Sequence, residues 1–507
     1  MSRNRETAGA RQYHDRTAHS PQSVRGSGHA LDWAIKPLPF KIYPAIEPLR
    51  LPTDLPALTM DTFAALAPGP PPAPAAVLDL PRLAALLFFS AGVTRVKRYA
   101  GGGEIHFRAA PSTGALYQTE AYVVAGDVTG LAPGVYHFNP GDFSLRPLRE
   151  GDFRGAVALA AADDAIAEQP ASIVLSAIYW RNTWKYQARG YRHLFWDSGT
   201  MLAQLLAAAR ALGLPARLVT GFVDAQLDAL LGVDPRTEAA LVVAPVGAAG
   251  RPAAAPPPMT TLAPEVIPLS SRQVDYPLLR EALEDSSLDS EAEVSDWRVP
   301  GRPPMAPVPE TGVDAAIALP APRAEAGRAL GETIARRGST REFSGAPISA
   351  PALSSALYHA TRGVSADVPA GLVDCYLTIH AVDGIEPGAY VYDPAAHRVR
   401  RLRAGDVREH AAFLCLEQPL GGRSSATVFF LADLARTLDR WGNRGYRVAN
   451  LEAGLIGGRL YLGAYGQRFG ASGLTFYDAE VVAFFSPHAS GKDALFVTAL
   501  GRSLTRG

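Results

Sequence analysis

From Leu80 onward, the apolar positions of this chain alternate between helical and extended periods. Leu83, Leu86 and Leu87 share one helical face. Tyr122 to Ala125 reads as a strand, as does Pro133-Gly134-Val135-Tyr136-His137-Phe138, which the turn Asn139-Pro140-Gly141 closes. Ser172 to Tyr179 is an apolar strand and Phe195 to Leu212 a buried helix, with further strands at Leu218 to Val223 and Ala240 to Val246. Residues 1–55 are polar and then proline-punctuated (Lys36-Pro37-Leu38-Pro39-Phe40, Tyr43-Pro44), which predicts an extended arm lying on the body. The proline-rich loop Ala67 to Pro74 cannot be helical inside.

Over residues 251–328 the composition shifts to proline, alanine and acidic residues, as in a long linker. Its run Glu281 to Asp296 reads as a solvated segment, with acidic recognition of a partner as the alternative, and five prolines fall between Pro300 and Pro309. The first framework then returns 254 positions later. Pro133-Gly134-Val135-Tyr136 matches Pro387-Gly388-Ala389-Tyr390, Gly151-Asp152 matches Gly405-Asp406, and Phe222 and Asp224 match Phe476 and Asp478. Ala240 to Gly247 matches Ala494 to Gly501, and Arg189-Gly190-Tyr191-Arg192 matches Arg444-Gly445-Tyr446-Arg447 at one position more. We read a tandem duplication of an α+β domain whose copies form an internal pseudo-dimer: arm 1–55, first domain 56–250, linker 251–328, second domain 329–507.

Composition narrows the partners. The 507 residues suit two or three domains, and the formal charge of zero gives no global reason to expect nucleic acid or an anionic membrane. Cys375 and Cys415 lie in apolar runs, as buried thiols do, and His14, His19 and His29 lack zinc-like spacing. With no signal-peptide core and no long uncharged apolar span, a soluble cytoplasmic protein is expected.

The copies differ where chemistry is expected. The second opens with Arg336-Arg337-Gly338-Ser339-Thr340-Arg341-Glu342-Phe343, a set of guanidiniums and hydroxyls suited to a phosphate; a solvated basic helix end is the other reading. The corresponding Leu66 to Ala73 has no cation. Gly501-Arg502 adds a cation where the first copy has Gly247-Ala248. Conversely, the turn Pro111-Ser112-Thr113-Gly114, whose backbone can approach a flat ligand closely, is replaced in the second copy by Ser365-Ala366-Asp367-Val368. Ser112 lacks a local base and the nucleophile-elbow pattern, which excludes a serine hydrolase built on it. Lys185-Tyr186 stands opposite Arg440-Trp441 or Trp441-Gly442, depending on a one-residue gap; the lysine reads either as a general base or as a snorkelling surface residue.

Taken together, Arg337-Gly-Ser339-Thr-Arg341-Glu-Phe343, Ala110-Pro111-Ser112-Thr-Gly114-Ala-Leu-Tyr117, Lys185-Tyr186 and Arg189-Gly190-Tyr191-Arg192 resemble the flavin-dependent nitroreductase fold. The resemblance, over about residues 80–247 and 330–502, is to its SagB and cyanobactin-oxidase type of azoline dehydrogenase. It implies two α+β domains, each a mostly antiparallel sheet flanked by helices, with one composite FMN site between them. Arg337, Ser339, Arg341, Leu474 and Arg502 would come from the second copy, and Pro111, Ser112, Thr113 and Gly114 from the first. The mirror site, Ala67 to Ala73 with Ser365 to Val368, would be empty. The resemblance further implies oxidation of a thiazoline or oxazoline in a peptide to the azole, with Lys185 as base, Tyr186 orienting the ring, and cyclodehydratase partners. Burial or Arg189 and Arg192 would lower the Lys185 pKa. A homodimer of tandem chains is compatible with it.

This chain has Gln118 where such proteins often have proline, and Ala115 where ordinary nitroreductases have asparagine, which argues against simple nitro or quinone reduction. No Gly-x-Gly-x-x-Gly follows a strand, so oxygen is the expected electron acceptor. The alternatives are an NAD(P)H-fed nitro or quinone reductase and a non-catalytic peptide-binding scaffold.

Overall fold

A computed structural model describes residues 2–99, 103–298 and 316–504; the proline run between Pro300 and Pro309 lies outside them. In the first copy β1 (Thr119–Ala125), β2 (Gly134–Asn139), β3 (Ser144–Glu150), β4 (Ala171–Ile178) and β5 (Glu238–Val246) stand in the order β3-β2-β1-β4-β5. In the second, β6 (Asp374–Ile379), β7 (Gly388–Asp393), β8 (Arg398–Ala404), β9 (Ala426–Ala432) and β10 (Asp493–Gly501) repeat it as β8-β7-β6-β9-β10. These neighbouring strands all pair antiparallel. The central strands β1, β4 and β9 are buried at every position, which explains their continuous apolar text. Leu218 to Val223 does not form the expected strand. Leu218 bridges Ala366 of the other copy while Val219 bridges Val243, so the segment passes between domains instead of extending one ladder.

Two helix pairs carry the duplication into the core: α1 (Tyr179–Tyr186) with α2 (Gly190–Ala211), and α3 (Leu434–Trp441) with α4 (Asn443–Gly466). Their ends place Lys185 opposite Arg440 and Tyr186 opposite Trp441. Next come Gln187 (φ 52°) and Gly442 (φ 66°), both left-handed. Helices α2 and α4 cross backbone to backbone at Gly199 and Gly454. A Cβ on Gly199 would run into the Leu451 carbonyl, and one on Gly454 into that of Trp196.

The repeated Arg-Gly-Tyr-Arg motif is a clamp between the copies. Arg189 and Arg192 reach Asp478 of the second copy (3.0 and 2.5 Å), while Arg444 and Arg447 reach Asp224 of the first (both 2.6 Å). Burial alone would raise the Asp478 carboxyl pKa, but Arg189 and Arg192 outweigh it and hold the group well below the ordinary range. Between the clamps Tyr191 and Tyr446 lie parallel with centroids 6.1 Å apart.

The N-terminal arm is not simply extended. It contains the helix Ala8–Arg16, whose Ala10 and Tyr13 share a buried face, and Tyr13 meets both axial tyrosines edge-on at 4.9 and 5.8 Å. One short apolar face among polar residues gave little periodic signal. The charge run also differs from a solvated segment. Helices Pro277–Asp285 and Glu291–Arg298 turn Leu279, Leu283, Val294 and Trp297 inward, and Trp297 Nε1 donates to the Trp441 carbonyl at 2.9 Å. Cys375 and Cys415 are buried free thiols, and among the described residues no helix is long and apolar enough to cross a membrane.

Candidate active site

The turn between the strand Glu104–Arg108 and β1 is held by a residue from another element. Asp197, on α2, accepts from Ser112 Oγ (2.6 Å), Thr113 N (2.8 Å), Thr113 Oγ1 (2.7 Å) and Gln118 Nε2 (2.7 Å). Burial raises its carboxyl pKa to about 6, against the pull of these donors. Gln118 also donates to the His193 carbonyl at 3.0 Å, so it anchors the turn by hydrogen bonds where proline would do so by stiffness. Asp197 and Gln118 were missed as site-builders; an aspartate inside the apolar run Phe195 to Leu212 was the available signal. Ser112 donates to Asp197 and accepts from Tyr117 N at 2.9 Å, an arrangement for positioning.

This anchoring supports an uncommon backbone. Gly114, Ala115 and Tyr117 are left-handed, with φ of 65°, 54° and 51°. A Cβ on Gly114 would lie 2.8 Å from the Tyr186 hydroxyl oxygen. We expect Gly114→Ala to cost about 1 kcal/mol in backbone strain and to displace Tyr186. A thermal midpoint a few degrees below the parent's checks this, and a parent-like midpoint counts against it.

Lys185 and Tyr186 end α1 beside this turn. The Tyr186 ring lies edge-on to His193 at 4.6 Å, and Lys185 Nζ is 5.3 Å from the Tyr186 ring centroid. Lys185 is half-buried; burial lowers its pKa most, and the charge of Arg341 lowers it further. The expected contribution of Arg189 and Arg192 is overturned, because both are committed to Asp478. For Tyr186, burial and then Asp197 raise the phenol pKa, while Arg341 opposes them. Arg341 belongs to the second copy, so its field joins the two halves.

The other second-copy residues lie as follows. Arg337 sends its guanidinium across the interface, Nε to the Ala109 carbonyl (2.6 Å) and Nη2 to that of Arg108 (2.8 Å), just ahead of Pro111. Ser339 Oγ meets the Tyr461 hydroxyl at 3.2 Å, and that hydroxyl accepts from Gly473 N at 2.5 Å. Leu474 is buried, with its N–H on the Val497 carbonyl at 3.2 Å. Arg341 is exposed and makes no hydrogen bond or ion pair within the described residues. Arg502 is exposed and donates from Nε to the Pro347 carbonyl at 2.9 Å. Arg336 pairs with Glu332 at 2.8 Å, so for that residue the solvated helix-end reading holds. An uncommitted guanidinium, hydroxyls and a turn lacking a Cβ form a donor set that fits a flat, anionic cofactor.

The mirror position is built differently. A cavity of about 310 Å³ lies there, lined by Ala67 to Pro71, Ser365 and Arg459. Arg459 spends its guanidinium on the carbonyls of Leu66 (2.5 Å) and His359 (2.7 Å), and Asp367 accepts from Thr220 N (2.9 Å) and Gly221 N (2.8 Å). At the place of Asp197 stands Glu452, which accepts from Gly371 N (2.6 Å) and Leu372 N (2.7 Å).

Fold and geometry together describe a twin-domain α+β protein in which residues of both copies, Arg337 of the second and Ala109 of the first among them, meet beside the Pro111 to Gly114 turn. The chain belongs to the nitroreductase family, whose model matches residues 76–248 and 334–501. A solved nitroreductase-like structure from Anabaena variabilis aligns over 98% of this chain and 99% of its own, at 27% identity and a TM-score of 0.78. A protein of Methanocaldococcus jannaschii described as a nitroreductase is 32% identical over 34% of this chain and 81% of its own. The trifolitoxin-processing protein TfxB of Rhizobium leguminosarum bv. trifolii is 29% identical over 32% of this chain and 46% of its own. The microcin B17-processing protein McbC of Escherichia coli is 27% identical over 26% of this chain and 51% of its own. The chain thus spans about half the length of these last two relatives.

Proposed function

We propose that the protein is an FMN-dependent dehydrogenase that converts thiazoline or oxazoline rings in a peptide to thiazole or oxazole. The observation that carries this reading is Lys185, half-buried and under the field of Arg341 from the other copy. Such a lysine gives up its proton more readily than a solvated one and is suited to accept a ring proton. One relative named for processing trifolitoxin and one named for processing microcin B17 support this substrate class.

FMN, when bound, supplies the two-electron redox chemistry. Arg341 and Ser339 would hold its anionic end, with Arg502 nearby. Arg337 fastens that segment to the strand leading into Pro111 to Gly114, which would lie against the ring system, and Leu474 would close the apolar side. Tyr186, held between the Gly114 backbone and His193, would orient the substrate ring beside Lys185. A cyclodehydratase must supply the azoline, and the reaction would take place in the cytoplasm.

The test is the flavin-to-chain ratio of the purified protein. We expect one, because the mirror position commits the Arg459 guanidinium to main-chain carbonyls and places Asp367 where an anion would be repelled; a ratio of two refutes the single composite site. Stopped-flow bleaching of the flavin by NADPH without peptide would instead favour a general nitro or quinone reductase.

A further inference from the structure

The first copy contains a closed set of side-chain hydrogen bonds that its twin lacks. Gln118 ahead of β1, Asn182 on α1 and His193 on α2 are all fully buried. One end of the Gln118 amide faces two acceptors, the His193 carbonyl at 3.0 Å and Asp197 Oδ2 at 2.7 Å, so that end is the nitrogen. Gln118 Oε1 then accepts from Asn182 Nδ2 at 3.3 Å, and Asn182 Oδ1 accepts from His193 Nδ1 at 2.8 Å. The network thus assigns the imidazole hydrogen to Nδ1. Nε2 is left as a bare acceptor, buried and without a partner among the described residues.

The same imidazole stands edge-on to Tyr186 at 4.6 Å, with the Trp196 ring at 4.7 Å. Asn182 and Tyr186 are four residues apart on α1 and share a face, and both meet His193. Burial, and then the charges of Arg189, His19, Arg192 and Lys185, hold the His193 pKa well below the ordinary histidine value. At the matching places of the second copy stand Leu372, Thr437 and Val448. Leucine and valine have no polar side-chain atom, and Thr437 donates its hydroxyl to the Asp433 carbonyl at 2.8 Å. Helices α3 and α4 form there without the set, so the fold does not require it. It occurs in the copy that keeps Lys185 and Tyr186.

We infer that His193 is a positioning residue for Tyr186, locked by Gln118 and Asn182 as the tautomer with its hydrogen on Nδ1. Through Gln118 and Asp197 the same set ties the Pro111 to Gly114 turn to the end of α1 that carries Lys185 and Tyr186. A proline at position 118 could make neither side-chain bond. The locked ring is uncharged, so it holds Tyr186 without adding a cation near Lys185, whose titration is left to burial and Arg341. The kinetic consequence of this inference rests on the function proposed above; the tautomer does not.

The test uses the full-length, flavin-loaded protein carrying ring-¹⁵N histidine, with the His193 signals assigned by their loss in His193→Val, the side chain the second copy packs at this place. We expect a protonated Nδ1 and a bare Nε2 whose shifts stay constant from about pH 6 to 8, the range in which an ordinary histidine titrates. A hydrogen on Nε2, or a ring that titrates in that range, overturns the inference. His193→Val should also lower kcat for an azoline peptide about tenfold, with KM, flavin content and the acid limb of the rate unchanged. A parent-like kcat, or a limb that moves, counts against the positioning role. Constant shifts in a parent that never bleaches its flavin with the azoline peptide support the locked ring and sink the dehydrogenase reading.

Discussion

Flavin-loaded Lys185→Ala is expected to oxidise an azoline peptide about 10²- to 10⁴-fold more slowly than the parent protein, the usual contribution of a positioned base. The flavin should stay bound, because among the described residues Lys185 makes no hydrogen bond or ion pair to the segment Arg337 to Arg341. The pH profile makes the claim sharper. The ammonium cannot accept a proton, so the rate rises with pH through the Lys185 pKa and levels off above it. Burial and Arg341 both shift that pKa downward, which places the acid limb below the ordinary lysine range. In protein saturated with flavin, which Arg341 would also help to hold, Arg341→Gln removes the second cause and should move the limb to higher pH, whereas Lys185→Ala should abolish it. Single-turnover bleaching near the flavin band, followed against pH, reads both variants. Normal bleaching in Lys185→Ala would remove this lysine from the mechanism.

The second large effect is structural. Asp478→Ala should destabilise the protein by about 3–5 kcal/mol, because it leaves Arg189 and Arg192 buried without a counter-charge. Neither guanidinium has slack: Arg189 Nε and Nη2 and Arg192 Nε already lack partners. The pH dependence follows from linkage. The folded Asp478 carboxyl titrates below its unfolded value, so the native state binds fewer protons. Its contribution is complete above the unfolded carboxylate pKa and is lost as pH falls toward the depressed folded value. Asp224, also lowered and gripped by Arg444 and Arg447, should behave alike. Urea midpoints measured at neutral and acidic pH check this. An unchanged neutral midpoint in Asp478→Ala would show that the clamp does not hold the copies together.

Much of the architecture was legible because duplication writes itself into residue order. The match of Phe222 and Asp224 with Phe476 and Asp478 marked equivalent positions, which prove to be the starts of the helices Asp224–Leu231 and Asp478–Phe485, and the strands recur at the same spacing. Apolar periodicity located β1, β2, β4, β5 and α2 because each is buried along a regular face. It failed at Leu218 to Val223, where burial comes from contacts with both copies and no single ladder sets the period. It failed also at Ala8–Arg16, a helix that buries only Ala10, Tyr13 and His14.

The sequence by itself determined that there are two copies, that they diverged, and which short segments each kept. It could do so because such differences appear residue by residue. The tertiary structure alone decided which of those segments act on one another. Asp197 holds the Pro111 to Gly114 turn across 84 positions, Arg337 grips Ala109 across 228, and Arg341 rather than Arg189 or Arg192 tunes Lys185. The physical reason is that charge and hydrogen bonding act through space over a few ångströms, while sequence records only distance along the chain.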